Sequence, residues 1–197
     1  YKVTGTIAEG ESGAQVRFLT RDEEARLRAA LDAREIDVRA YRETINASRR
    51  KTGRELLPEI GPDEYADHIK PLVLLALNTG LRRGDLFELK WQHVDLGRRQ
   101  IRKVISKSSH AKRKAGKKAE AATLPLSDEA HTVLAQLKRQ RDPDSDLVFP
   151  SPVSGTRLDN VKRGFNTTLK LAKIEDFRFH DLRHTFASRL VMAGVDI

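Results

Sequence analysis

The chain contains no cysteine among its 197 residues. A disulfide framework, a thiolate zinc site and a cysteine nucleophile are therefore excluded. The sequence also has no apolar run that approaches the ~20 residues needed to cross a bilayer. We therefore expect no membrane contact, and the absence of cysteine is consistent with a cytoplasmic protein.

Acidic residues are missing from one long segment. Between Gly97 and Ala119 there are ten Lys and Arg residues and no Asp or Glu. The rest of the chain carries 27 basic and 28 acidic residues, so this segment holds the whole net charge of +9. A local excess of this kind predicts contact with a polyanion such as a phosphate backbone. The alternative is a solvated basic loop.

Hydrophobic residues make up 39% and charged residues 33% of the chain. Residues 1–16 indicate a lead-in or linker, and residues 17–197 one domain. Thr20 and Glu23 have the spacing of a capping box and predict a helix that begins there. An apolar stretch predicts a buried helix from Asp63 to Thr79. Residues 37–62 are polar and indicate a surface excursion with some helix.

Two short strands are predicted on either side of the basic segment, at Ile101–Ile105 and Thr123–Leu126, so that the segment forms a long β-hairpin or meander. Further helices are predicted after Ser127, at Asn160–Leu171 and at Asp181–Met192. The predicted fold class is therefore mainly α with a small antiparallel β-sheet.

The first group of candidate site residues is the sequence TGLRRGD. It places Arg82 directly after a glycine turn, in the first turn of a helix, where free backbone amides and the helix dipole favour an anion. A guanidinium there can bind two phosphate oxygens. Asp85 lies three residues further along and can hold the arginine in place. The alternative is an arginine that caps a surface helix.

The second group is the sequence HDLRH. His180 and Arg183 share one face at the start of a helix, which suits phosphoryl transfer: the arginine neutralises oxygen charge and the histidine moves a proton. A zinc site made by His180 and His184 is the weaker alternative. Zinc proteases place Glu directly after the first histidine, whereas this chain has Asp181.

The chain from Phe18 to Ile197 resembles the catalytic domain of tyrosine recombinases, particularly phage and genomic-island integrases. The matching stretches are FLTRDEE, LNTGLRRGDLFEL, WQHVDL, TLPLS, VFPS and FHDLRHTFASRLVMAGVDI. The resemblance implies the fold of DNA breaking-rejoining enzymes. It also implies that Arg82, His180 and Arg183 are catalytic and that Asp85 supports them.

The family also has a catalytic lysine in the hairpin. Counting from Ile101 favours Lys107, whereas counting back from Pro125 favours Lys117, with Lys112 and Lys114 as further alternatives. The remaining basic residues near the site are expected to bind DNA; this set comprises Arg83, Lys112, Arg113, Lys114, Lys117 and Lys118.

The resemblance implies site-specific recombination or integration of double-stranded DNA through a 3′-phosphotyrosine intermediate, with no metal and no cofactor. It implies a homo-tetramer on DNA, whereas the isolated chain is expected to be a monomer. Tyr1, Tyr41 and Tyr65 match no nucleophile position of the family. We therefore expect the catalytic domain to be cut off before its tyrosine and to be inactive in cleavage.

The alternative function is a DNA-binding or regulatory relic of an integrase. A type IB topoisomerase shares the catalytic logic, but the integrase-like stretch FHDLRHTFASRL makes it the weaker hypothesis.

Overall fold

The computed structural model describes residues 6–7, 16–104 and 121–195. Within these ranges the chain is mostly helical, with one three-stranded antiparallel sheet and a separate two-stranded pair. The predicted fold class is confirmed. In the part of the chain that is described, no helix is both long enough and apolar enough to span a membrane.

Helix α1, Arg21–Lys51, is 31 residues long and begins with the predicted capping box. The Thr20 hydroxyl accepts the Glu23 amide at 3.1 Å, and the Thr20 amide donates to the Glu23 carboxylate at 2.9 Å. The helix continues through the polar residues after position 36, which the sequence analysis interpreted as a surface excursion. No Gly or Pro interrupts it before Gly53, whose φ is +65°.

The polar second half of α1 holds the returning chain. Arg39 donates to the carbonyl oxygens of Ile60 and Gly61. The Asn46 amide group bonds both the amide and the carbonyl of Leu57 at 2.9 Å. These polar side chains therefore have a packing role, and their polarity did not indicate an irregular chain.

Helix α2, Ile69–Thr79, is buried along most of its length and lies at the centre of the core. It begins later than predicted, because residues 62–68 form turns, and the Asp67 side chain accepts the Ile69 amide at 2.8 Å. Gly80 ends the helix in the left-handed conformation. The short helix α3, Arg83–Phe87, follows at once.

The sheet comprises β3 (Val94–Asp95), β4 (Gln100–Lys103) and β5 (Ala122–Pro125), in the order β3-β4-β5. Ile101 lies opposite both Val94 and Leu124. The two strands around the basic segment are thus confirmed with slightly different ends. Nearer the N-terminus, β1 (Thr6–Ile7) pairs with β2 (Val16–Arg17), so the predicted lead-in contributes one short strand.

Three helices complete the described fold: α4 (Asp128–Arg139), α5 (Lys162–Leu171) and α6 (Asp181–Met192). The Ser127 hydroxyl caps α4 by accepting the Ala130 amide at 3.2 Å. Helix α6 has the predicted bounds and packs against α2. This packing brings the start of α6 to the turn between α2 and α3.

Candidate phosphate-binding site

The turn that carries Arg82 depends on Gly80. Its φ is +59°, and a Cβ at this position would lie 2.3 Å from Cδ1 of Phe186 on α6. Only glycine combines this conformation with so close an approach. Arg82 follows in an extended conformation and is half-buried at the N-cap of α3. The Gly80–Phe186 contact therefore fixes the position of the turn from which the Arg82 side chain projects.

Helix α6 supplies the other two predicted residues. His180 is its N-cap, and Arg183 lies in its first turn. Nη1 of Arg183 donates a hydrogen bond to the Gly80 carbonyl, across 103 positions of sequence. The turn before Arg82 and the start of α6 are thus joined directly.

The start of α6 is held by a network of buried polar groups. The Asp181 side chain is buried and accepts the Arg178 amide at 2.7 Å. The Thr185 hydroxyl donates to the Asp181 carbonyl at 2.9 Å and accepts the Leu19 amide at 3.0 Å. Because these groups are paired, the orientation of α6 is fixed relative to the chain that enters α1.

The three residues act on one another electrostatically. Burial lowers the pKa of Arg183, the positive charge of Arg82 lowers it further, and Asp85 opposes the shift. The pKa of His180 is lowered by burial and then by His184, with smaller contributions from Arg183 and Arg82, while Asp181 opposes them. The structure therefore brings Arg82, His180 and Arg183 into one site that disfavours further positive charge and favours an anion.

His184 contacts His180 edge-on, with ring centroids 5.0 Å apart and an interplanar angle of 86°. His184 therefore has a packing contact with His180. Among the residues with described positions, no group of three His, Cys, Asp or Glu side chains has the arrangement of a metal site.

Asp85 is fully buried. Its carboxylate oxygen lies 3.6 Å from Nζ of Lys103, the last residue of β4. The role of Asp85 in holding Arg82 stays a prediction, and the structure adds a contact between Asp85 and Lys103.

In the sequence Lys103 is one of the ten bases between Gly97 and Ala119, whereas in the structure it is buried. Residues two apart on a strand point to the same face, and Ile101, two residues before Lys103, is fully buried. This spacing is the sequence signal that predicts an inward side chain for Lys103.

Arg83 is exposed beside this site and lies over the Phe87 ring at 6.0 Å. It lines a cleft of about 850 Å³ between α3, α5 and the start of α6. The basic residues of the cleft are Arg17, Arg83, Lys162, Lys170 and Arg178, against the acids Asp176 and Asp181. The other predicted DNA-binding residues lie outside the described residues, as does Lys107; they are Lys112, Arg113, Lys114, Lys117 and Lys118.

Comparison with known proteins identifies the family of the chain. The sequence model of the phage integrase family matches residues 51–197. The chain belongs to the phage integrase family. The resemblance inferred from the sequence motifs is thereby confirmed, and the matched region contains Arg82, His180 and Arg183.

Among curated members of the family, the integrase of Salmonella phage P22 is 40% identical over 149 residues, which cover 68% of this chain and 35% of that protein. The crystal structure of XerA recombinase superimposes with a TM-score of 0.60 at 24% identity, covering 95% of this chain and 54% of that one. A Tn1549 transposon integrase in complex with a circular intermediate DNA gives a TM-score of 0.61 at 16% identity, covering 94% and 56%. At these identities the two structures show the fold.

The chain spans 27% to 47% of the length of the curated relatives that it matches.

Proposed function

We propose that this chain is the phosphate-binding part of the catalytic domain of a site-specific DNA recombinase. The observation that carries the proposal is the bond from Arg183, at the start of α6, to the Gly80 carbonyl in the turn before Arg82, together with the mutual electrostatic effects of Arg82, Arg183 and His180. Each of the two nearby acids also has another basic neighbour: the Asp85 carboxylate lies 3.6 Å from Nζ of Lys103, and the Asp181 carboxylate lies 3.4 Å from the guanidinium of Arg178.

Arg82 and Arg183 bind the non-bridging oxygens of one DNA phosphate. Charge on these oxygens grows as the phosphorus becomes pentavalent, so fixed guanidinium groups stabilise the transition state more than the ground state. This electrostatic work needs neither a metal ion nor a nucleotide.

His180 accepts the proton of the attacking hydroxyl. Its lowered pKa keeps the imidazole neutral near pH 7, and a neutral imidazole is the form that takes up a proton. The attacking group in this reaction is a tyrosine, which forms a 3′-phosphotyrosine link and releases a 5′-hydroxyl.

We assign the nucleophile to none of the tyrosines present. Tyr41 is 67% exposed on α1. The Tyr65 amide is bonded to Gln140, and burial raises the pKa of its hydroxyl to about 12. Lys107 in the basic hairpin protonates the leaving 5′ oxygen in this scheme.

Double-stranded DNA is the proposed partner. The basic cleft beside Arg83 and the net charge of +9 favour a polyanion. The Tn1549 integrase with a similar fold is described in complex with DNA. We further propose that four copies of the whole recombinase assemble on a DNA attachment site, and that the isolated chain is a monomer in solution.

The phosphate site is tested by the salt dependence of DNA binding. Each phosphate that a protein neutralises contributes about −0.9 to the slope of log K against log salt. Because Arg82 and Arg183 share one phosphate, either arginine alone still neutralises it. Arg82→Ala and Arg183→Ala should therefore each change the slope by less than about 0.5, whereas the double variant should make it shallower by about one. Arg50→Ala, at an exposed position on α1, is the control and should leave the slope unchanged.

Additive changes of about two in the double variant would show two separate phosphates and contradict the shared site. Unchanged slopes in all three variants would contradict phosphate binding altogether. Covalent capture of a nicked suicide duplex by these 197 residues would show that one of the three tyrosines attacks, against the assignment made above.

A further inference from the structure

Lys103 is buried next to the phosphate site. Only 6% of the residue is exposed, whereas lysine is almost never buried unless it is paired. Its Nζ donates to the Asp85 carbonyl at 2.8 Å and lies 3.6 Å from the Asp85 carboxylate. Glu88 lies 3.9 Å away on the exposed side and also contacts Arg157 at 3.4 Å. Lys103 is therefore held within the fold by α3.

The hydrogen bond to the Asp85 carbonyl completes the end of α3. A helix of five residues leaves most of its carbonyls without partners from its own backbone. The Glu88 amide donates to Gly84 and the Leu89 amide to Leu86, so the Asp85 carbonyl takes its bond from Lys103. A cation near the C-terminal end of a helix also interacts favourably with the helix dipole. Lys103 thus fixes the helix that begins immediately after Arg82.

The Asp85 carboxylate would compete with phosphate for the arginines of the site if its charge were not balanced. It is fully buried, and its negative charge acts on Arg183. A buried carboxylate without a nearby cation either takes up a proton or draws another cation toward it. Arg82 and Arg183 belong to the proposed phosphate site, where their charge is needed for phosphate, and the Asp85 charge already acts on Arg183.

We propose that Lys103 is a positioning residue of the phosphate site: its buried ammonium neutralises Asp85 and braces α3, which keeps Arg82 and Arg183 directed at the phosphate. The inference rests on the proposed function. Lys103 acts through Asp85, because its Nζ is engaged by α3.

The test compares phosphate binding by the folded chain in a double-mutant cycle. Inorganic phosphate is titrated while the Nε–Hε signals of Arg82 and Arg183 are followed by NMR, and urea unfolding is measured separately. Lys103→Gln removes the charge but keeps a donor for the Asp85 carbonyl, and Lys103→Met removes both. Lys90→Met is the matched control, because Lys90 forms an exposed ion pair with Asp146.

Lys103→Gln and Lys103→Met should each weaken phosphate binding about tenfold in the natural background, and by less than about threefold when Asp85 is replaced by Asn. Lys90→Met should leave binding unchanged. If Lys103→Met does not fold, Lys103→Gln carries the comparison, since it retains the hydrogen bond.

Equal losses with and without the Asp85 carboxylate would overturn the inference, because they would show a long-range charge effect only. Lower stability with unchanged phosphate affinity would overturn it too, because it would show a purely structural lysine. Failure of the unsubstituted chain to bind phosphate at Arg82 and Arg183 would instead overturn the proposed function itself.

Discussion

Replacement of Gly80 by alanine tests how the site is assembled. The added Cβ would lie 2.3 Å from Cδ1 and 2.9 Å from Cε1 of Phe186, so the ring or the turn must move. Overpacking of this kind costs about 1 to 3 kcal/mol. Alanine at φ +59° costs a further 1 kcal/mol, roughly. The free energy of unfolding should therefore fall by about 2 to 4 kcal/mol.

Gly53→Ala is the matched control. Gly53 also follows a helix in the left-handed conformation, with φ +65°, but no atom lies within 4 Å of its added Cβ. Gly53→Ala should therefore lower the free energy of unfolding only by the cost of the left-handed backbone, about 1 kcal/mol. Urea unfolding measures both losses. In a thermal melt, Gly80→Ala should lower Tm by roughly 5 to 15 °C and Gly53→Ala by roughly 2 to 4 °C.

A third variant identifies the contact. In a Phe186→Ala background the ring is absent, and Gly80→Ala should then cost no more than Gly53→Ala, about 1 kcal/mol. Equal costs for Gly80→Ala and Gly53→Ala in the natural background would refute the reasoning, because the turn would then not be held against α6 by Phe186.

Three further predictions concern the site, a helix start and the basic segment. The pKa of His180 should lie below 6.5 in the free chain and rise when inorganic phosphate binds, since an anion favours imidazolium; an NMR titration measures both values. Thr20→Ala should cost about 1 kcal/mol in urea unfolding, whereas Thr167→Ala, which removes a hydroxyl on the exposed face of α5, should stay within about 0.5 kcal/mol. Neutralising the bases at 112–118 should make the salt slope of DNA binding shallower by at least about two, and an unchanged slope would contradict their predicted role.

Local chemistry predicted most helix starts. Thr20 with Glu23 and Ser127 with Ala130 are contacts over three residues, so the sequence alone contains both partners. The length of α1 was not predictable in the same way. Its polar residues after position 36 bond to carbonyls of the returning chain, and polarity by itself does not distinguish such a helix from a loop.

The site residues were predictable for another reason. Arg82, His180 and Arg183 were recognised from motifs, but their meeting depends on the Arg183–Gly80 bond and the Gly80–Phe186 approach, each over more than a hundred positions. No local pattern predicts such contacts. Lys103 was missed because it was counted with the other bases between Gly97 and Ala119, whereas its neighbours in space include Asp85 and Glu88.

The placement of acids explains why the site stays positive. Two buried carboxylates, Asp85 and Asp181, lie next to the proposed phosphate position, and either could cancel an arginine. Asp181 instead accepts the backbone amide and the guanidinium of Arg178, and Asp85 contacts Lys103. Nη1 of Arg183 donates to the neutral Gly80 carbonyl, and this bond orients the guanidinium without neutralising its charge. The pairing of these acids should therefore matter for anion binding at the start of α6 as well as the two arginines, and changing those pairs should alter phosphate affinity without substitution of Arg82 or Arg183.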